Sequence, residues 1–184
     1  MKEETKNKII EVVRWSIIIV CIILIVYIGA LKIKNHLHLK ELESLSDNPA
    51  DYGYIADLSI PDLDVEVPVY DTRIATVDVS LQDIVDMKDS AVIFAQRDTD
   101  FYIIADHAHQ GFRAIKNTIP NKTRAYFNGE EYVCAYNFTG KNLNELVDEN
   151  GENINSYNGK ADICMYTCMD SRAVNIYIVM WKKA

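Results

Sequence analysis

An unbroken apolar run near the N-terminus, from Trp15 to Leu31, dictates the environment of this part of the chain. The seventeen residues carry no charge, and a helix of about 17–25 apolar residues is long enough to cross a bilayer. Trp15 and Tyr27 suit the membrane interfaces, and Lys32 can extend its amine into water. We therefore predict an uncleaved transmembrane anchor over residues 15–32. A cleaved signal peptide is the alternative, but the residues after the run form a poor cleavage site.

The segments beside this run are polar and lead into a separate domain. Residues 1–14 have mixed charge, and Ile33–Ser46 has apolar residues at helical spacing, which predicts a short amphipathic helix. A turn signal at residues 46–49 ends it. We assign residues 33–51 to a helical stalk and residues 52–184 to one domain, as the chain length allows. Because cations stand on both sides of the apolar run, charge alone leaves its orientation open.

Charge and cysteine content narrow the function classes. The net charge is -8, and the cations after Asp51 form no patch or run, which argues against a nucleic-acid partner. Besides Cys21 in the apolar run, the chain has three cysteines, so at least one thiol is free or pairs between chains. Cys164 and Cys168 would lie about 13 Å apart on a strand, too far for a disulfide. A pair between Cys134 and Cys164 stays open, although two buried strand residues are the simpler interpretation.

Short β-rich runs separated by turn signals fill the domain. They are predicted as two strands within residues 52–70, hairpins at 91–105 and 123–138, and a closing pair at 161–168 and 173–182. Helical turns are predicted at Ser80–Lys88, Gly111–Asn117 and Leu143–Glu149. The fold class is therefore mainly β: a closed β-barrel of about eight strands with two or three short helices, preceded by one transmembrane helix.

Three residues of this domain can form a thiol acyl-transfer site. Cys168 ends one predicted strand, and His107 follows another. A thiol attacks an amide as a thiolate, so it needs a nearby imidazole that takes its proton and later returns it to the leaving amine. Arg172, at the start of the last run, offers a guanidinium for the oxyanion. Spacing alone does not distinguish this set from three unrelated residues.

The order of these motifs resembles that of the sortases, cysteine transpeptidases of Gram-positive bacteria. The resemblance is carried by residues 60–70, 103–112 and 163–168 and by the arginine before the last strand. The family's Thr-Leu-x-Thr-Cys is represented by Cys164 to Cys168, where only Thr-Cys is kept. Asp106 stands where glycine is usual, and the loop between Cys168 and Arg172 is shorter than in most sortases.

The resemblance implies a sortase-like β-barrel in which Cys168 attacks a C-terminal sorting signal of the LPxTG type and forms a thioacyl-enzyme. It implies His107 as acid and base, Arg172 as the group that holds the substrate backbone or oxyanion, and Thr167 as a substrate-binding residue. The implied partners are secreted proteins with such a signal and an amine acceptor, from a cell-wall precursor or a pilin lysine. No cofactor and no metal are implied. Residues 1–14 are expected in the cytoplasm, and the domain on the extracytoplasmic face of the cell membrane.

Other interpretations stay open. A membrane-tethered module of the same fold, weak or inactive in catalysis, that binds or assembles peptides is the second function class. His107 and His109 share one face of a strand, as in many metal sites, but no further ligand has suitable spacing. Asp106 is expected to be structural, because neighbouring strand residues face opposite ways. Solvated surface is the expected role of the acidic residues around the predicted helix, Asp83, Asp86 and Asp89.

Overall fold

The computed structural model describes residues 2–88, 90–96, 101–143, 145–170 and 172–184, which form two compact units that divide after Ser44. The first unit is helix α1, Lys2–Glu43. The separate amphipathic helix predicted from Ile33 is instead the continuation of α1, since residues 32–43 contain no proline or glycine that would end it. From Ile9 onward α1 is long and apolar enough to cross a membrane.

The second unit is a mainly β domain that begins at Leu45. Its strands are β1 Tyr54–Ile60, β2 Val65–Tyr70, β3 Ala91–Gln96, β4 Tyr102–Asp106, β5 Arg124–Phe127, β6 Glu130–Asn142, β7 Leu146–Asp148, β8 Ile163–Cys168 and β9 Asn175–Lys183. Their order in the sheet is β5-β1-β2-β3-β4-β8-β9-β6-β7, and β5 also pairs with β6. This extra pairing closes eight of the described strands into a ring, which confirms the predicted closed arrangement of about eight strands.

The short helices lie between the strands. Helix α2 spans Leu81–Lys88. It begins with the predicted capping box: Asp83 Oδ2 accepts from the N–H of Ser80 at 3.1 Å, and Ser80 Oγ accepts from the N–H of Asp83 at 3.2 Å. The described residues also form 3₁₀ turns at Pro49–Tyr52, Pro61–Leu63, Gly111–Asn117 and Ile154–Tyr157.

The helix predicted for Leu143–Glu149 is wrong, because residues 146–148 form β7, which pairs with residues 140–142 of β6. A helix of two turns has little stability of its own. The edge of β6 beyond its pairing with β5 offers backbone hydrogen bonds instead. Gly140 allows the close approach, since a Cβ there would lie 2.4 Å from Val147 O.

Replacing Gly140 with alanine is therefore expected to destabilise the domain by about 1–3 kcal/mol, as overpacking does elsewhere. The added methyl would also meet Ile178 Cδ1 at 2.6 Å. Denaturant unfolding of the variant measures the loss, with Lys141→Ala at the exposed neighbouring position as the control. Equal stability of the two variants would contradict the close approach of β7.

Alternation along β8 separates two apolar clusters. Ile163 and Met165 lie in the cluster inside the ring, whereas Cys164 and Tyr166 lie in a second cluster outside it. Cys168 continues the outward series of residues, so its side chain belongs on the outer face. Cys134 lies in the inner cluster, on the opposite side of the sheet from Cys164, and both thiols are buried and free. The interpretation of both as plain buried strand residues is confirmed.

Candidate active site

The ends of two neighbouring strands bring Cys168 and His107 together. β4 and β8 run parallel, and their last register pair is Asp106 with Thr167. Cys168 is the next residue of β8, and His107 is the first residue after β4, so the two follow this pair side by side. In a parallel pair the carboxyl ends of both strands lie at the same edge, which is where functional side chains of such sheets commonly stand.

Two clefts share these two side chains. The first, which we call the apolar cleft, is about 290 Å³ and lies between α2, β3, β4 and β8. It is lined mainly by apolar side chains together with a few polar ones: Leu81, Gln82, Val85, Val92, Phe94, Ala105, Asp106, His107, Asn142, Tyr166, Cys168 and Ala173. The second, which we call the loop cleft, is about 460 Å³ and is lined by His107, Ala108, His109, Cys168, Met169, Asp170 and Ala173. The thiol and the imidazole thus border both clefts.

The surroundings of Cys168 favour the neutral thiol. Burial raises the pKa of this half-buried thiol, and the nearby carboxylate of Asp170 raises it further. Burial also raises the pKa of Asp170, but hydrogen bonds outweigh this effect and leave that pKa below its ordinary value. These bonds come from the N–H groups of Arg172, Val174 and Asn175 and from the Asn175 side chain. Nucleophilic attack by Cys168 therefore needs a base, and His107 is beside it.

Thr167 lies on the opposite face of β8 from Cys168. It is buried, and its hydroxyl donates to the backbone oxygen of Asp106 at 2.8 Å. This bond ties β8 to β4 immediately before the thiol and the imidazole. Thr167 lines neither cleft. Its predicted role in substrate binding stays a prediction, whereas the structure shows a strand-joining role.

Asp106 has the structural role predicted for it. Its buried carboxylate accepts from the N–H of His107 at 2.6 Å through Oδ1 and from the N–H of Phe112 at 3.1 Å through Oδ2. These bonds hold the turn between β4 and the 3₁₀ segment Gly111–Asn117. The carboxylate therefore fixes the backbone that carries His107.

The side chain of His107 is held from helix α2, by residues that the motifs did not identify as functional. Its Nε2 lies 3.0 Å from Asp86 Oδ1 and 3.2 Å from Gln82 Nε2. Asp86 is therefore not only the solvated surface residue that was expected, although its side chain is 32% exposed. The spacing of Gln82 and Asp86, one helical turn apart, was the available signal that they share a face. Which strand end that face meets is decided by tertiary packing.

His109 stacks on His107, with ring centroids 5.1 Å apart and an interplanar angle of 20°. It lines the loop cleft, so its position is that of a polar neighbour of the site. Among the described residues, no group of three or more His, Cys, Asp or Glu side chains is arranged to hold a metal ion.

Solved structures of known function share this architecture. Sortase E1 from Streptomyces coelicolor is similar at a TM-score of 0.52 with 19% identity, over 73% of this chain and 89% of that one. Listeria monocytogenes sortase A is similar at 0.51 with 11% identity, over 72% and 88%, and Streptococcus pneumoniae sortase C at 0.50 with 15% identity, over 72% and 70%. The domain has the sortase fold. No protein-family model and no curated protein sequence matches the chain.

On this sortase fold, Arg172 does not stand with the other two predicted residues. It is exposed in the loop between β8 and β9, and its backbone N–H donates to Asp170 Oδ1 at 3.0 Å. Arg172 lines neither the apolar cleft nor the loop cleft. Its predicted role stays a prediction.

The cysteines of the sortase-fold domain are expected to differ in how fast a thiol reagent labels them. In the full chain with Cys21→Ala, Cys168 should label first, at a rate that rises with pH because its raised pKa leaves little thiolate at neutral pH. Burial raises the pKa of Cys134 to about 11 and also raises that of Cys164. Both should label only after unfolding, as peptide mapping after a pulse of iodoacetamide would show. Labelling of Cys164 before Cys168 in the folded protein would contradict this assignment.

Proposed function

We propose that this protein is a membrane-anchored cysteine transpeptidase of the sortase type. One observation carries the proposal: on a sortase fold, Cys168 ends β8, His107 directly follows the neighbouring parallel strand β4, and both line the same two clefts. A thiol beside an imidazole in a cleft is the arrangement that nucleophilic acyl transfer requires.

In the proposed reaction, His107 takes the thiol proton as Cys168 Sγ attacks the carbonyl carbon of the scissile peptide bond. The C–N bond then breaks, His107 gives this proton to the leaving amine, and a thioester joins the acyl group to Cys168. An acceptor amine attacks the thioester, His107 takes the proton that the amine releases, and the proton returns to the departing sulfur. The product is a new amide, so the reaction consumes no water and no cofactor.

The proposed substrate is a secreted protein with a C-terminal sorting signal of the LPxTG type. The apolar cleft beside Cys168 offers Leu81, Val85 and Phe94 to an apolar side chain of an extended peptide. The similar sortase E1 was solved with a tripeptide in its active site, which supports a peptide ligand for this fold. The proposed acceptor is an amine of a cell-wall precursor or a pilin lysine, as for the family in general.

The proposed anchor is the apolar part of α1. Between Trp15 and Leu31 its large apolar side chains are exposed, which is unfavourable in water and favourable in a bilayer. We place residues 1–14 in the cytoplasm and the domain on the extracytoplasmic face, where sorting signals and acceptor amines occur. Arg172 is proposed to bind the oxyanion or the peptide backbone after its loop has rearranged.

A peptide-binding or assembly module on the same fold is the second candidate. Two observations favour it: the pKa of Cys168 is raised, and Arg172 lines neither cleft. Such a module would hold the same peptides without forming a bond to them.

The deciding experiment incubates the full chain in detergent micelles with a panel of sorting-signal peptides and measures intact mass. The transpeptidase predicts a mass increase equal to the N-terminal fragment of one peptide, mapped to Cys168, and no increase for Cys168→Ala. Cys134→Ala, which removes a buried thiol elsewhere, is the control and should still form the adduct. Peptide binding without any adduct would identify the protein as the binding module.

A further inference from the structure

Helix α2 presents a carboxylate to the imidazole of the candidate site. Asp86 Oδ1 lies 3.0 Å from His107 Nε2, and Gln82 Nε2 donates to the same carboxylate oxygen at 2.9 Å. Gln82 and Asp86 are one turn apart, so both side chains leave the helix on one face. The Gln82 amide and the His107 imidazole thus meet at a single oxygen atom of Asp86.

The chemistry of these groups determines which imidazole nitrogen carries the proton. A carboxylate oxygen only accepts hydrogen bonds, so the contact at 3.0 Å needs a proton on Nε2 of His107. The approach of Gln82 Nε2 to within 3.2 Å of His107 Nε2 then has a simple explanation, since two donors converge on one acceptor. In a neutral imidazole with this proton on Nε2, Nδ1 is left as the acceptor.

The contact between Asp86 and His107 is not needed to hold α2 in place. Ile84 and Val85 of the helix are buried in a cluster with Val92 of β3, and this packing fixes the helix. The side chains of His107 and Asp86 are 29% and 32% exposed, and ion pairs at such positions add little to stability. We therefore look for the function of this contact in the candidate site rather than in the stability of the fold.

Other charged or titratable groups also face His107. His109 stacks on its ring, Asp170 lies with it in the loop cleft, and the Asp106 carboxylate binds the backbone N–H of His107. Among the residues that the structure describes, Asp86 is the one whose carboxylate lies within hydrogen-bond distance of the ring itself.

We infer that Asp86, held by Gln82, is a positioning residue that fixes the proton of His107 on Nε2 and leaves Nδ1 to exchange a proton with Cys168. The part that concerns Cys168 rests on the proposed function; the part that concerns the tautomer does not. The arrangement follows the general rule that an acid–base imidazole is oriented by an acceptor on its second nitrogen.

The tautomer is tested without substrate, by ¹⁵N NMR of the full chain in detergent micelles with labelled histidine. We expect the ring nitrogens of His107 to report the proton on Nε2 at pH values where the ring is neutral. In Asp86→Asn the new amide group can donate to Nε2, so the signals should move toward the opposite tautomer, whereas Asp86→Glu should keep the original one. A proton on Nδ1 in the unmodified protein, or unchanged His107 signals in Asp86→Asn, would overturn the inference.

The kinetic consequence is tested by the rate of thioacyl formation with a peptide that labels Cys168. Asp86→Asn should lower this rate about 10- to 100-fold at saturating peptide with little change in KM, part of the 10²–10⁴-fold that acid–base catalysis supplies. Asp86→Glu should recover part of the loss. Asp78→Asn, at an exposed position before α2, controls for the loss of one negative charge, and Asp83→Asn controls for a loosened start of α2.

Two results would overturn the kinetic part: an Asp86→Asn rate equal to that of Asp78→Asn, or a loss no larger than that of Asp83→Asn. If no peptide forms an adduct with the unmodified protein, the proposed function fails while the NMR result still decides the tautomer. The two failures are therefore distinguishable.

Discussion

Replacing His107 with alanine is expected to lower the rate of thioacyl formation about 10²–10⁴-fold, the usual contribution of acid–base catalysis. The reason lies in the surroundings of Cys168: burial and Asp170 raise the pKa of the thiol, so without the imidazole little thiolate forms at neutral pH and the leaving amine has no proton donor. The measurement is a single-turnover mass assay on the full chain in micelles.

His109→Ala is the matched control for this prediction. Its ring stacks on His107 and lines the loop cleft, but it does not line the apolar cleft that we assign to the substrate. We expect it to lose less than about tenfold, since positioning contacts contribute less than proton transfer. A His107→Ala variant as active as His109→Ala would show that the imidazole at residue 107 is not the acid–base group.

Replacing Asp106 with alanine is expected to destabilise the domain by about 2–5 kcal/mol, because two N–H groups, those of His107 and Phe112, lose a buried charged acceptor. The turn is also closely packed at Gly111, where a Cβ would lie 2.6 Å from Asp106 Oδ2. Denaturant unfolding measures the loss. The rate at which the remaining folded protein forms peptide adducts reports whether His107 is still in position.

Asp106→Asn serves as the control because it keeps the size of the side chain and one acceptor oxygen. It should lose less stability than Asp106→Ala, since one of the two backbone N–H groups keeps a partner. If alanine and asparagine cost the same, the carboxylate bonds to the turn would not be what stabilises it. If neither variant loses stability, the structural role of Asp106 would be wrong.

Local chemistry explains why much of the fold could be predicted. Asn128 and Gly129 both have positive φ, as a two-residue hairpin turn demands, and these residue types signal that turn. The capping box at Ser80 and the β-rich run that forms β8 likewise depend on neighbours in sequence. One prediction, the helix at Leu143–Glu149, failed because its helical pattern covers only two turns and competes with an open edge of β6.

The residues of the candidate site likewise divide into those that the sequence could identify and those that it could not. Cys168 and His107 were recognisable because each stands at the end of a β-rich run and carries reactive chemistry. The partner of His107 was not, since Asp86 looks like any exposed acidic residue of a short helix. Its contact depends on how α2 packs on β3 and β4, which involves residues distant in sequence. The hydroxyl of Thr167 is a further example, because only the β4–β8 register reveals its bond to Asp106.

The sequence by itself determined the apolar helix, the strands, the turns and the types of reactive group, because each depends on residues that are close along the chain. The tertiary structure alone decided that β4 and β8 are parallel neighbours, that α2 supplies Asp86 to His107, and that Arg172 stays in an exposed loop. Those outcomes depend on closing a ring from strands far apart in sequence. No local pattern of residues encodes which strand ends then meet.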